Sequence, residues 1–439
     1  MAGVYEEILK YINTLHIIDT HEHLHSFEAD RDKNTDVLKE YLWHYFDKDL
    51  ISAGLSIADY NKIAGMDHTI SEKWKIAEPY WNVSRYTGYG RSLQICARDL
   101  YGIENIEAST IEVLNERFMK SLTPGHFKKV LKDKSKIITS LLNVNTLNHN
   151  YNIAKHEWSI YCDKNFFNPV YWINIFVCPT LWSHIESVEQ QSGIRITSFS
   201  RWLEATELMV NRALELGAVA LKNSLAYIRT LRYESVPASL AESEFLDIYK
   251  TKHFSLLQGR PANPGKNFQD FMFHYILDMA NKKGLVFQIH TGIQEGNGNQ
   301  LSNSNPELLS NLFIEYPDIT FDIFHMGYPY QNELTVLAKN FPNVFIDMCW
   351  SHIVSPKASV EALLEWIDTV PLNKISAFGG DYLFVDGVYG HQLLARQNVA
   401  KALSIAVENG IFGSEKAMEV AEMLLYLNPL KIFRLKANK

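Results

Sequence analysis

At 439 residues the chain is long enough to bury a large core. Hydrophobic residues make up 46% and charged residues 21%, the balance of an ordinary globular protein. The formal charge, 42 basic against 50 acidic residues or −8, argues against nonspecific binding to nucleic acid or to an anionic membrane; a local arginine or a metal can still favour an acidic substrate.

The opening MAGVYEEILKYINTL has no basic start and no long apolar stretch. It reads as an amphipathic helix rather than a secretory leader. From there, eight apolar, β-branched runs read as buried parallel strands. They are HIIDT (16–20), KIITSLL (136–142), WINIFVCP (172–179), AVALKNS (218–224), GLVFQIH (284–290), ITFDIFH (319–325), NVFIDMC (343–349) and ISAFGGD (375–381). Helical periodicity lies between most of them, over 198–217 from a Ser cap to a Gly stop, over 266–283 and over 332–340. After residue 390 the chain continues in helices, with MLLYLNP at 423–429. Eight strands alternating with helices predict an α/β fold, a (β/α)8 TIM barrel. With insertions, such a barrel takes up residues 1–439 as a single domain.

Two segments interrupt the alternation. Residues 26–134 form a long, mostly helical insertion after strand one, rich in Trp and Tyr, as in SEKWKIAEPYWNVSRY. Residues 225–264 follow strand four and carry PANPG. Both leave from carboxyl ends of strands, where barrel active sites form. They read as lids or pocket walls, with an oligomer contact as the competing use. No run reaches the ~18 apolar residues of a membrane span. Cys96, Cys162, Cys178 and Cys349 are widely spaced, with no CxxC pair. Reduced core thiols are expected, and with them a cytoplasmic location.

The chemistry-bearing residues collect at strand ends. Strand one runs into Asp19-Thr20-His21-Glu22-His23. Residues two apart share a strand face, so His21 and His23 point together into the barrel mouth, where two imidazoles can bind one divalent ion. An HxH alone is unspecific, and His25 reads as a surface residue. The other strand ends change the balance: strand five ends in His290, strand six in His325 and strand eight in Asp381. Imidazole plus carboxylate suits zinc, iron or manganese.

This set resembles the amidohydrolase superfamily, with HxH after strand one, His after strands five and six, and Asp after strand eight. The resemblance covers about 16–382 and implies metal ligands at His21, His23, His290 and Asp381. It makes Asp381 also the residue that accepts a proton from activated water. It makes His325 a ligand in binuclear members, or a substrate-polarising or proton-transferring group in mononuclear ones. Residues 218–234 (AVALKNSLAYIRTLRYE), QIHTG and LSNSNP resemble the amidohydrolase-like domain fused ahead of some glutamine synthetases. The insertion after strand one is similar to that of uronate isomerases. The implied cofactor is a divalent metal, zinc foremost with manganese or iron as alternatives, and the implied partner is a small-molecule substrate. Neither nucleic acid nor membrane is expected, and self-association is left open.

Around this set, Lys222 on strand four is either carbamylated to bridge two metals, as in some family members, or in contact with substrate or Asp381. One ion is the expectation. Tyr227 and Arg229 either hold a substrate carboxylate, which Arg does through bidentate bonds, or form a packed aromatic and a surface ion pair. His352 either touches substrate or caps a loop. Trp350 and Tyr382 either line the pocket or simply pack, and Asn303 and Asn305 fit turn positions. Gly379 and Gly380 let the backbone pass tightly before Asp381. The expected function is metal-dependent hydrolysis of an amide, lactone or ester. The alternatives are decarboxylation, uronate-isomerase-like chemistry on the same site, and a non-catalytic barrel scaffold.

Overall fold

A computed structural model describes residues 2–145, 162–252 and 265–436, together with the short paired strands 151–152 with 157–158 and 256–257 with 260–261. Of the PANPG segment, residues 262–264 lie outside the described residues. Eight parallel strands form one sheet in chain order: β1 (Ile17–Glu22), β2 (Ile137–Asn145), β3 (Phe167–Trp172), β4 (Ala220–Asn223), β5 (Val286–Ile289), β6 (Thr320–Ile323), β7 (Val344–Asp347) and β8 (Ile375–Ser376). Among the described residues helices stand between successive strands except β2 and β3, and the fold is a (β/α)8 barrel. The barrel draws closed where the chain beyond β8 runs beside β1. Thr20 N donates to Phe378 O (3.1 Å), Asp381 N to His21 O (2.8 Å) and His23 N to Tyr382 O (3.1 Å).

Seven of the expected strands coincide with observed ones. The third does not: β3 lies at 167–172, and Asn174–Val177 is a short helix. Ile175, Phe176 and Val177 are buried. A short buried helix has the same continuous apolar run as a buried strand, so periodicity cannot separate them. At the amino-terminal end of the barrel, Ile432 and Phe433 from the last helical segment pack with Leu141, Val170, Ala220 and Val286. That end is plugged with side chains, and the other end is left for chemistry.

The 26–134 insertion is helical, as expected, from Val37–Tyr41 to Ile111–Lys120. Its longest helix, Ile70–Ser84, starts with a reciprocal cap between Thr69 and Glu72. The insertion shares one hydrophobic cluster with the barrel, through Leu38, Trp74, Trp81, Leu93 and Phe118. Its Gly88–Tyr101 helix crosses the Val385–Glu408 helix so closely that a Cβ on Gly390 would stand 2.2 Å from Ser92 O. Asp386, at the start of the latter helix, accepts hydrogen bonds from Tyr41 Oη (2.9 Å), Tyr101 Oη (2.6 Å) and His126 Nε2 (2.6 Å), all from the insertion. Among the described residues no helix is long and apolar enough to cross a membrane, and all four cysteines are buried and unpaired.

Two residues expected to touch substrate have structural roles. Arg229 is buried, and every guanidinium nitrogen is engaged: Nη2 with Asp270 (2.6 Å) and Arg232 O (2.9 Å), Nη1 with Gln269 (3.1 Å), and Nε with Thr230 O (2.9 Å). Four of its five N–H donors are so used, and it does not line the cavity described below. His352 is fully buried between Ala377 O (2.9 Å to Nε2) and Asn398 Nδ2 (3.2 Å to Nδ1). Arg229→Ala would take from the buried Asp270 its buried cationic partner and leave only the half-exposed Lys266 beside it. We expect a loss of about 3–5 kcal/mol in denaturant unfolding, with substrate KM unchanged in the folded fraction.

Candidate metal centre

The carboxyl end of the barrel holds polar groups that the strands bury in a mutually bonded set. Asp19 accepts from Ser140 Oγ (2.8 Å), His21 N (3.2 Å) and Gly380 N (3.0 Å). Gln288 bridges Thr20 O (3.1 Å) and Asp322 Oδ2 (3.0 Å). Burial pushes the Asp19 carboxyl up to about 6, and that of Glu22 well above the usual range, with Asp19 adding to the latter. This layer fixes β1 and the chain after β8 relative to one another.

His21, His23 and Asp381 meet on top of it. His21 Nε2 and His23 Nε2 are 3.1 Å apart, and Asp381 Oδ1 lies 3.5 and 3.2 Å from them. His325 Nε2 stands 3.9 Å from the other carboxylate oxygen, Oδ2. His290 approaches through His325, its Nδ1 2.8 Å from His325 Nε2. The ligand-type atoms of His21, His23 and Asp381 all lie within 4.8 Å of one another, as do those of His325, Cys349 and Asp381; His290 belongs to neither group. Of the four expected ligands, three therefore converge and the fourth stands one ring away.

The hydrogen bonds decide which nitrogens carry protons. His290 Nε2 donates to Ile293 O (2.8 Å) and His325 Nδ1 donates to Cys349 O (3.0 Å), since a carbonyl can only accept. In the neutral rings, His290 Nδ1 and His325 Nε2 are then two lone pairs facing each other at 2.8 Å. Burial first, then neighbouring Lys222 and histidines, hold His21, His290 and His325 well below the ordinary imidazole value, so they stay neutral. Converging lone pairs beside a carboxylate fit a divalent cation.

The backbone is held in an uncommon conformation at the same places. His325, Met326, Trp350 and Asp381 have φ of 62°, 44°, 64° and 58°, the left-handed region that non-glycine residues rarely adopt. Such residues gather where the surroundings over-determine the chain for function.

A cavity of about 560 Å³ opens above. Lys222 lines it, with its ammonium 3.4 Å from the Phe324 ring centroid; among the described residues it has no hydrogen-bond partner, and burial lowers its pKa to about 8. Tyr227 lines it too, its Oη accepting from Glu295 N (3.0 Å). The far wall carries Ser224, whose Oγ accepts from Trp172 Nε1 and Asn174 Nδ2 (both 2.9 Å) and so has its own proton left to donate. Trp350 and Tyr382 are buried and do not line the cavity; they pack beneath Tyr45. Asn305 caps the turn at Glu307.

The insertion contributes His44 and Tyr45 to the wall, which sequence reasoning did not single out. Tyr45 stacks between Tyr89 (5.2 Å) and Trp350 (4.7 Å), and its hydroxyl donates to the backbone carbonyl of Asp381. With Asp381 N bonded to His21 O, both sides of that residue are tethered. Tyr45→Phe should therefore weaken divalent-metal binding by roughly 10–100-fold, the range for groups that orient a ligand. Chelator competition measures it, and an unchanged apo melting temperature separates it from unfolding.

A family model described as amidohydrolase matches residues 213–435, just over half of the chain. The chain belongs to the amidohydrolase family. Within this family member, the matched region contains Lys222, His290, His325 and Asp381, while His21 and His23 lie ahead of it. A curated relative, Protein fluG of Emericella nidulans, is 30% identical over 149 residues, which is 34% of this chain and 17% of that protein. The chain thus spans less than a fifth of that relative's length. Among solved structures, glucuronate isomerase of Caulobacter crescentus superposes with a TM-score of 0.79, at 20% identity, over 100% of this chain and 95% of its own. A proposed metal-dependent hydrolase of Lactobacillus casei ATCC 334 reaches 0.67, at 16% identity, over 97% of each chain. At such identities the likeness concerns the fold. It extends over the helical insertion, whose similarity to that of uronate isomerases the sequence had indicated.

Proposed function

We propose that this chain is a metal-dependent hydrolase that cleaves an amide, lactone or ester bond of a small polar molecule. The observation that carries the reading is the meeting of His21, His23 and Asp381 in the wall of the cavity, with His290 and His325 turned towards them by backbone carbonyls. His21, His23 and Asp381 would hold a divalent ion, zinc foremost, with His290 brought in by rotation of its ring; 1–439 acts as one unit. The ion supplies Lewis acidity, polarising a carbonyl and lowering the pKa of water from 15.7 to about 7.

The side chains supply the rest. Asp381 accepts the proton of the attacking water and passes it to the leaving group. His325, whose Nε2 is an unprotonated acceptor beside the Asp381 carboxylate, assists by relaying a proton. Lys222, a buried ammonium above the Phe324 ring, attracts an electron-rich substrate group, and Tyr227 and Ser224 orient the remainder. The volume lies in the usual range of ~300–1,000 Å³ for a small-molecule site.

A second reading, isomerisation of a sugar acid or decarboxylation, is favoured by the superposition on glucuronate isomerase along the whole chain. Against it, no arginine is among the described residues that line the cavity, and Lys48 near its rim is paired with Asp47 (2.6 Å) and Glu295 (3.3 Å). Turnover in oxygen-18 water decides. Hydrolysis places solvent oxygen in the new acid or alcohol. A product of the same mass as the substrate, or lighter only by carbon dioxide, would establish the second reading.

A further inference from the structure

A second cavity, of about 400 Å³, forms between the insertion and the chain that follows β1 and β8. Its size lies in the ~300–1,000 Å³ range of small-molecule sites. Among the described residues none lines both this cavity and the one over the metal centre. Three stretches nevertheless run from one to the other: His23 to His25, Asp381 to Leu383, and Tyr45 back to Trp43.

The walls are aromatic and the polar residues are unevenly paired. Trp43, Tyr60, Phe127 and Phe384 enclose the space, and Trp43, large and apolar, stays 47% exposed. Lys39 and Asp32 line it as a closed pair at 2.9 Å, with Lys39 Nζ also donating to Asn34 O (2.7 Å). Arg31 and Glu40 line it as an open one. Arg31 Nη2 stands 3.7 Å from Glu40 Oε1, beyond hydrogen-bond reach, and among the described residues neither atom has a hydrogen-bond partner. Arg31 is only 8% exposed, and its Nη1 is anchored on Ser121 O (2.9 Å), so the guanidinium cannot swing out to water. Buried polar groups left unpaired are rare and costly. We propose that this cavity is a second small-molecule site, which takes an aromatic monocarboxylate, its ring against the aromatic walls and its carboxylate between Arg31 and Glu40.

Charge selects the head group. Burial, and after it the Asp386 carboxylate, push the Glu40 carboxyl up to about 8, so at neutral pH it is mostly the uncharged acid. Asp386 itself accepts from Tyr41, Tyr101 and His126, and Asp32 from Lys39. Arg31 is therefore a buried guanidinium to which no ionised group is hydrogen-bonded, and a carboxylate is the partner its fork of donors fits best. One ligand oxygen accepts from Arg31 and the other from the Glu40 acid. A cationic ligand would be repelled by Arg31. A dianion would find a single open cation, since Lys39 is closed on Asp32. The ring gains from Trp43 and Phe384, which offer flat apolar faces.

The proposal is independent of the metal reading, and the experiment is done without metal. The full-length chain is stripped with chelator, dialysed and titrated with phenylacetate in a calorimeter. The expected result is saturable binding that persists in protein carrying His21→Ala and His23→Ala. Phenylacetamide, similar in shape but uncharged, should bind at least about tenfold more weakly, the scale of a hydrogen bond to a charged group. Arg31→Gln should weaken phenylacetate by a similar factor and phenylacetamide little, whereas Trp43→Ala should weaken both. Absence of saturable binding to wild type would overturn the site. Binding that disappears in the double histidine variant would place phenylacetate in the metal cavity and overturn it too. So would equal affinity for acid and amide, or an affinity untouched by the Arg31 and Trp43 substitutions. The acid and amide are compared on wild type, so that result decides even if Arg31→Gln fails to fold.

Discussion

Protein carrying both His21→Ala and His23→Ala should purify with divalent metal at background level, while wild type retains it. The two imidazoles contribute two of the three converging ligand atoms, the third being Asp381 Oδ1. Removing a group that merely orients a metal ligand costs up to about 100-fold in affinity. Loss of two direct ligands, each at least that severe, gives roughly 10⁴-fold or more. The fold should persist, because β1 is held by backbone bonds to β2 and to the chain after β8, which alanine retains. His25→Ala is the control: His25 points away from this cavity and should leave metal content unchanged. Elemental analysis of the three proteins, with melting curves, reads the result. Equal metal in wild type and the double variant would remove the metal-centre assignment.

The sequence made the barrel legible because parallel strands covered on both faces are continuous apolar runs, and a polar residue ending such a run stands out. His290, His325 and Asp381 were found that way, and the alternation of side chains along β1 identified His21 and His23. The same signal misplaced β3, since Ile175, Phe176 and Val177 are apolar for a helical reason. What escaped depends on long-range partners. Arg229 is indistinguishable by sequence from a substrate-binding arginine until Asp270, 41 residues on, closes around it. His352 reads as a substrate contact or a loop cap until Ala377 O and Asn398 take both of its nitrogens. Tyr45 lies among aromatic residues of the insertion, and nothing local says that its hydroxyl reaches a carbonyl 336 residues away. Cys349 reads as one more core thiol, and only the chain after β8 places it beside His325 and Asp381.

Asp381→Asn separates holding a metal from moving a proton. The substitution keeps the side-chain shape. It also keeps the backbone bonds from Asp381 N to His21 O and from Tyr45 to the Asp381 carbonyl, so the residue stays where it is. The amide oxygen can still face His21 and His23, but the nitrogen cannot accept a proton. Metal affinity should fall, because a neutral amide is a poorer ligand than a carboxylate, yet a saturating metal concentration restores occupancy. At that saturation, turnover of an identified substrate should be lower by on the order of 10³-fold, the middle of the range for a positioned acid–base group. Rate and metal content are measured on the same preparation, so that a metal-free variant is not mistaken for a catalytically dead one. A metal-loaded variant within about tenfold of wild type, ~1.4 kcal/mol in barrier, would show that Asp381 only holds the ion. His325, which stands 3.9 Å from Oδ2 with its Nε2 unprotonated, would then be the group left to take the proton.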